Sequence, residues 1–126
     1  MVPVLNEALR LPTLLAALAP LGRDGAEVIV VDGGSSDPSA AVAAPLADAV
    51  VSSPRGRAAQ MNAGAAAARA PWLLFLHADT QLPEGALKAI TTSRADWGRF
   101  DVRIEGRSRW LPVVAAFMNL RSRLTG

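Results

Sequence analysis

Four short polar clusters in this chain each follow an apolar run. Asn6 and Glu7 come after VPVL, and Asp32, Gly33, Gly34, Ser35 and Asp37 come after EVIVV. Arg55, Gly56, Arg57 and Asn62 follow DAVVSS, and His77 and Asp79 follow WLLFL. Each type suits a defined task around a phosphorylated ligand. Asp32 can accept hydrogen bonds from a ribose or a base N–H, and Gly33 and Gly34 allow a ligand closer than a Cβ would. Arg57, next to Gly56 at a helix start, can meet phosphate with its guanidinium and the nearby free amides. Asp79 can ligate a hard divalent cation that bridges phosphates. His77 would lie on the same side as Asp79 if the segment is extended.

Each residue also has a plainer reading. Asp32-Gly-Gly-Ser can be a turn, and it lacks the G-x-G-x-x-G spacing of a dinucleotide fingerprint. Arg55 and Arg57 can be solvated charges, and Asn62 can bond within its own helix. Glu7 can serve the charge balance of a helix end. His77 is read first as a loop-shaping residue and second as a metal ligand.

The elements that must position these clusters follow from periodicity. Residues 7–19 read as a helix with Leu11, Leu14, Leu15 and Leu18 on one side and Pro12 in the first regular turn. EVIVV, 27–31, fits a strand buried on both faces. Asp37 is a candidate N-cap for a helix running to about Ala47. Residues 48–53 read as a second strand, followed by an alanine-rich helix ending near Ala70. WLLFL, 72–76, reads as a third strand, and 82–90 as a helix with Pro83 near its start. RFDVRIEG, 99–106, alternates like a strand with one wet face, and 110–121 reads as an apolar or amphipathic helix. This alternation predicts an α/β fold built on a mostly parallel sheet flanked by helices. In such sheets ligands bind outside the C-terminal strand ends, where all four clusters fall. Both ends of the chain read as cut, so the expectation is part of a larger domain.

Composition sets the outer limits. The 126 residues are 51% hydrophobic, much of it alanine, and contain no cysteine. Disulfides, thiolate metal sites and cysteine nucleophiles are therefore excluded. No apolar run reaches the roughly 18 residues of a membrane span, and a cytoplasmic domain is expected. Residues 1–93 carry six basic against eight acidic side chains, a balance of −2. Residues 94–126 carry seven arginines against three acids, a balance of +4. That basic end does not amount to a nucleic-acid signature. Residues 107–123, RSRWLPVVAAFMNLRSR, either rest on an anionic membrane at its inner face or pack Val113, Val114, Phe117 and Leu120 on the sheet. Core packing is the favoured expectation.

VPVLNEALRLPTLLAAL, EVIVVDGGSSD, SPRGRAAQMNAGAAAARAPWLLFLHADTQLP and WGRF…MNLRSRLTG together resemble the family 2 glycosyltransferases. Within them the chain is most similar to the bacterial group called rSAM/selenodomain-associated transferase 2. The resemblance implies a GT-A fold, here incomplete, with residues 1–126 as the N-terminal nucleotide-sugar-binding portion. It implies transfer of a sugar from a nucleotide-diphosphate donor to an acceptor hydroxyl, usually with inversion. Pro3, Asn6 and Glu7 would form the first nucleotide-contact loop. Asp32 would be the aspartate on the base or ribose, with Gly33, Gly34, Ser35 and Asp37 around it. Arg57 and Asn62 would close over the nucleotide and its phosphates. His77-Ala78-Asp79 stands where most relatives carry Asp-x-Asp, which makes Asp79 the Mn²⁺ or Mg²⁺ ligand and His77 a secondary one.

The resemblance places the general base beyond residue 126, since Asp96 and Asp101 match no motif position. A nucleotide-binding or interaction module without transfer is therefore the alternative function. A nucleotidyltransferase is disfavoured, because MVPVLNEAL offers neither a glycine-rich phosphate loop nor a basic residue within it.

Overall fold

The computed structural model describes residues 1–125, which divide into two compact units, Met1–Ser93 and a second from Arg94 onward. The first unit is built on a three-stranded parallel sheet in the order β1-β2-β3. Its strands are β1 (Val2–Val4), β2 (Ile29–Asp32) and β3 (Ala49–Ser52). Val4 stands opposite Asp32, which in turn stands opposite Ser52, so the strands end level with one another. The helices of this unit are α1 (Leu11–Arg23), α2 (Ser39–Ala43), α3 (Arg57–Ala67) and α4 (Ala86–Thr92). The expected α/β fold is present, as an incomplete GT-A-like sheet.

The two faces of the sheet are covered differently. Val2, Val4 and Val30 share one face and form a core with Leu11, Leu14, Leu15 and Leu18 of α1 and Ala43 of α2. All four leucines are buried, as their spacing predicts, and each contributes about 1.5–3 kcal/mol of transfer free energy. Helix α3 lies on the other face, where Gly64 lets it approach closely. A Cβ at Gly64 would stand 2.8 Å from Val31 Cγ2 and from Met1 Sδ. Pro3 is the middle residue of β1, not part of the following loop. Val4 directs its carbonyl at β2, where Gly33 N–H donates to it, so the neighbouring Pro3 turns its missing donor away from β2.

Several expected boundaries move, each for a local reason. The chain from Glu7 to Arg10 is a turn closed on the Glu7 carbonyl, and regular helix starts at Leu11. Helix α2 stops at Ala43 instead of Ala47, two residues before Pro45, whose ring cannot continue it. Helix α3 ends at Ala67, and Ala68 is already extended. Helix α4 starts at Ala86, because Gly85 holds a left-handed backbone with φ +75°.

Two expected strands do not form. Residues 72–76 make only the start of a ladder. The Met1 amine donates to the Leu74 carbonyl (2.7 Å), and Leu76 N–H donates to the Met1 carbonyl (3.0 Å). That is a parallel pattern with Phe75 opposite Met1, and it breaks because the chain turns, with Thr80 N–H donating to the His77 carbonyl.

Residues 99–106 find no partner strand among the described residues of the second unit. The Asn119 side chain takes that role, accepting from Val102 N–H (2.8 Å) and donating to the Val102 carbonyl (2.9 Å). Asn119 belongs to α5 (Leu111–Thr125), whose Ala115 is buried. Val113, Val114, Phe117 and Leu120, expected to pack in a core, are exposed at 43–69%.

Candidate functional site

The β1–α1 and β2–α2 loops are fastened together by short polar side chains. Asn6 adopts φ +58° and presents its side-chain oxygen to Ser36 N–H (2.8 Å), the Ser36 hydroxyl (3.1 Å) and Asp37 N–H (3.3 Å). In return, Asn6 N–H donates to the Ser35 hydroxyl oxygen (2.9 Å) and Glu7 N–H to that of buried Ser39 (2.9 Å). Ala8 N–H donates to the Asp37 carboxylate (3.0 Å). Asp37 also accepts from the amide and hydroxyl of Ser39, and the hydroxyl bond above all holds its carboxyl below the ordinary carboxylate range. Asn6 and Asp37, both expected at the nucleotide, thus already serve as loop pins.

Asp32 ends β2 and is only 9% exposed. Its two oxygens accept Ser35 N–H at 3.2 Å each, and the Ser35 hydroxyl bonds one of them closely. This places a braced carboxylate at the C-terminal edge of the sheet, with Gly34 beside it at φ +84° and open space where a Cβ would be. Gly33 differs, because its missing side chain is used internally. A Cβ there would lie 2.8 Å from Cδ of Gln60, which is buried under the loop.

Gln60 went unread in the sequence. Its amide nitrogen donates to the Val4 carbonyl (2.7 Å) and the Val31 carbonyl (3.0 Å), tying the ends of β1 and β2 to α3. Gln60 and Gly64, four residues apart on an alanine-rich helix, share the face that meets the sheet. That pairing is the sequence signal for it.

Arg57 opens α3, and its exposed side chain and that of Arg55 have no ion-pair or hydrogen-bond partner among the described residues. Asn62 is exposed and lies about 200° around the helix from Gln60, away from the sheet-facing side. The fold therefore leaves Arg57 free at the helix start and does not turn Asn62 toward Asp32.

Residues 77–80 follow the short parallel pairing at Phe75, so they leave toward the same sheet end as Asp32. Both His77 and Asp79 are exposed, and Asp79 accepts one hydrogen bond, from the Thr80 hydroxyl (3.2 Å). Glu7 binds Arg10 at 2.9 Å and, through that bond first, raises the guanidinium above its usual value, with a smaller push from Asp79. A cavity of about 1500 Å³ touches Arg10 and Asp79 but is otherwise mainly apolar, lined by α1, residues 70–76 and α4. Asp32 and Arg57 lie outside it. Among the described residues, no group of three or more acidic or histidine side chains is arranged to hold a metal ion. Asp79 keeps free lone pairs for a cation, and at most His77 would accompany it from this loop.

In the second unit Asp101 is held between Arg99 (3.2 Å) and Arg123. No helix among the described residues is long and apolar enough to cross a membrane.

Residues 1–104 match the family model described as glycosyl transferase family 2. No curated protein and no solved structure matches the chain. The match covers both fastened loops, the braced Asp32, the Arg57 helix start and the Asp79 turn, and by it the chain belongs to glycosyl transferase family 2.

Proposed function

We propose that the chain binds a nucleotide-diphosphate sugar at the C-terminal edge of its sheet and serves the donor side of an inverting transfer to an acceptor hydroxyl. The observation that carries this reading is the buried, serine-braced carboxylate of Asp32 on the same sheet edge as the unpartnered Arg57. Asp32 retains acceptor capacity for a ribose hydroxyl or base N–H. Arg57 and the first-turn amides of α3, which have no partner within the helix, suit the diphosphate. Of the remaining expected contacts, Glu7 and Gly34 stand at this edge, whereas Pro3, Asn6, Gly33 and Asp37 support it from within the fold.

Asp79 would hold a divalent cation, Mn²⁺ or Mg²⁺, through its carboxylate oxygens, which suit either ion, with His77 as the second candidate. When bound, such a cation offsets charge on the leaving diphosphate. The test is direct binding. Affinity for a panel of UDP, GDP, CDP and dTDP is measured by calorimetry with and without Mn²⁺. One member should bind more tightly with Mn²⁺, and Asp79→Asn should remove that gain. Indifference of every nucleotide to both changes refutes the donor site.

A second reading, a nucleotide-binding module that performs no transfer, is favoured by the ion pairs that occupy Asp101. Release of nucleoside diphosphate from a matching sugar nucleotide, dependent on an added acceptor, would end that reading. Placement in the cytoplasm, with residues 107–123 against an anionic inner leaflet, belongs to the same proposal. So does the finer similarity to the bacterial rSAM/selenodomain-associated transferases. The first rests on the exposed apolar residues of α5, the second on the PRGRAAQMN and HAD blocks.

A further inference from the structure

Beneath the loop that carries Asp32 lies a contact the donor reading does not by itself require. The Gln60 side chain is 6% exposed and reaches out of α3 to the last turns of two strands at once. Both partners of its amide are carbonyls, Val4 at 2.7 Å and Val31 at 3.0 Å, so the nitrogen end must point there. Val31 is the residue before Asp32. The Val4 carbonyl also accepts Gly33 N–H at 3.1 Å, so one oxygen joins β1, the Asp32 loop and α3. Gly33 completes the fit, since any Cβ would displace the amide. Three residues earlier on the same side of the helix stands Arg57.

We infer that Gln60 is a positioning residue that sets the span between Asp32 and Arg57, and thereby selects ligands carrying a nucleoside and a diphosphate at a fixed separation. The inference rests on the donor-site reading. Two weak contacts to a linked ligand reinforce each other only when their separation matches the linker, and the gain vanishes when it does not. Gln60 touches neither contact group directly. It fixes the helix that bears one to the strand that bears the other.

Binding measured ligand by ligand separates this role from plain structural support. If Gln60 sets the span, its loss leaves each half-site competent and removes only their joint action. If it merely stabilises the fold, all binding declines together with thermal stability.

The experiment uses the full chain and the nucleoside diphosphate that binds the unaltered protein most tightly with Mn²⁺. Binding of that ligand, of its nucleoside and of inorganic pyrophosphate is measured separately for the unaltered chain and Gln60→Met. Methionine keeps the volume and lacks the donor. The diphosphate should lose about tenfold in affinity, as for one mispositioned charged contact, while nucleoside and pyrophosphate each stay within about twofold. Gly33→Ala, which crowds the amide from the other side, should reproduce the pattern and decides the matter if Gln60→Met does not fold. Equal losses for all three ligands, or an unchanged diphosphate affinity in a folded variant, overturn the inference while leaving the donor site intact. Failure of the unaltered chain to bind any nucleotide removes the donor site and this inference with it.

Discussion

The side-chain oxygen of Asn6 accepts the Ser36 amide at 2.8 Å, and Asn6 reaches it from a left-handed backbone at φ +58°. Two separate effects meet at this residue, the polar contacts and the backbone shape that asparagine tolerates better than most. Asn6→Gly keeps the shape and loses the contacts, which should cost about 1 kcal/mol. Asn6→Ala adds the Cβ penalty, about 1 kcal/mol more. Urea midpoints of the two variants check this, and equal midpoints would show that the backbone carries no strain.

Asp37 ties acid stability to the loops. Its carboxyl is depressed below the ordinary value of 3.8, first by the Ser39 hydroxyl and then by the Ala8 and Ser39 amides. A depressed folded value means that the unfolded chain takes up the proton first. The contribution of Asp37 is therefore complete above about pH 4 and lost as pH falls through the lower folded value. Asp37→Asn should be less stable than the unaltered chain near neutrality, and the gap should close in acid. Unfolding curves between about pH 6 and about pH 2 read the difference, and a gap that stays constant contradicts the assignment.

Gly64 tests the closeness of α3 to the sheet. An exposed helical glycine would gain stability on replacement by alanine, by about 1 kcal/mol. Here the new Cβ would meet Val31 Cγ2 at 2.8 Å, in the middle of the sheet. Gly64→Ala should therefore destabilise the chain, by about 1–3 kcal/mol. A rise in melting temperature would show that the helix has room to move.

Helix α5 supplies a surface prediction. Trp110 just before it, then Val113, Val114, Phe117, Leu120 and Leu124, are exposed at spacings that keep them on one broad side. Arg107, Arg109, Arg121 and Arg123 flank or punctuate that side, and no acid follows Glu105. The chain should sediment with vesicles rich in phosphatidylglycerol and not with neutral phosphatidylcholine vesicles, and Phe117→Asp should weaken that binding. Raising salt from about 0.05 M to about 0.5 M should weaken it as well, because screening shortens the reach of the arginines. Binding to neither vesicle type rejects the membrane contact, and equal binding to both rejects the part assigned to the arginines.

The sequence made the alternating framework legible because its strongest signals are local. The leucine spacing of α1 and the β-branched run of β2 point to the same arrangement as the packed structure. Strands at 72–76 and 99–106 were misjudged because alternation reports which side chains suit a sheet, not whether a partner backbone is present. Phe75 finds only Met1 beside it, and Val102 finds a side chain. In the site, Asp32 and Arg57 were readable as chemistry, because charged groups after strands stand out. The structural work of Asn6, Asp37 and Gly33 was not, since it depends on contacts 27 to 30 residues away in sequence. Gln60 was missed for the same reason, masked by its place in an alanine-rich helix.

Loops between secondary-structure elements are usually where a protein accepts added or deleted residues. The two fastened loops are an exception. Asn6, Glu7 and Ala8 each meet a fixed partner among Ser35, Ser36, Asp37 and Ser39, so one residue added to either loop shifts every pair by a place. A change of length in one would have to be matched in the other, and the two behave as one inherited unit. Freedom to vary in length then belongs to the less fastened stretches, residues 54–56 before α3, past the last ladder bond from Ser53 N–H to the Asp32 carbonyl, and 81–85 before α4. A change of length there leaves the paired loops and the Gln60 contacts beneath them in place.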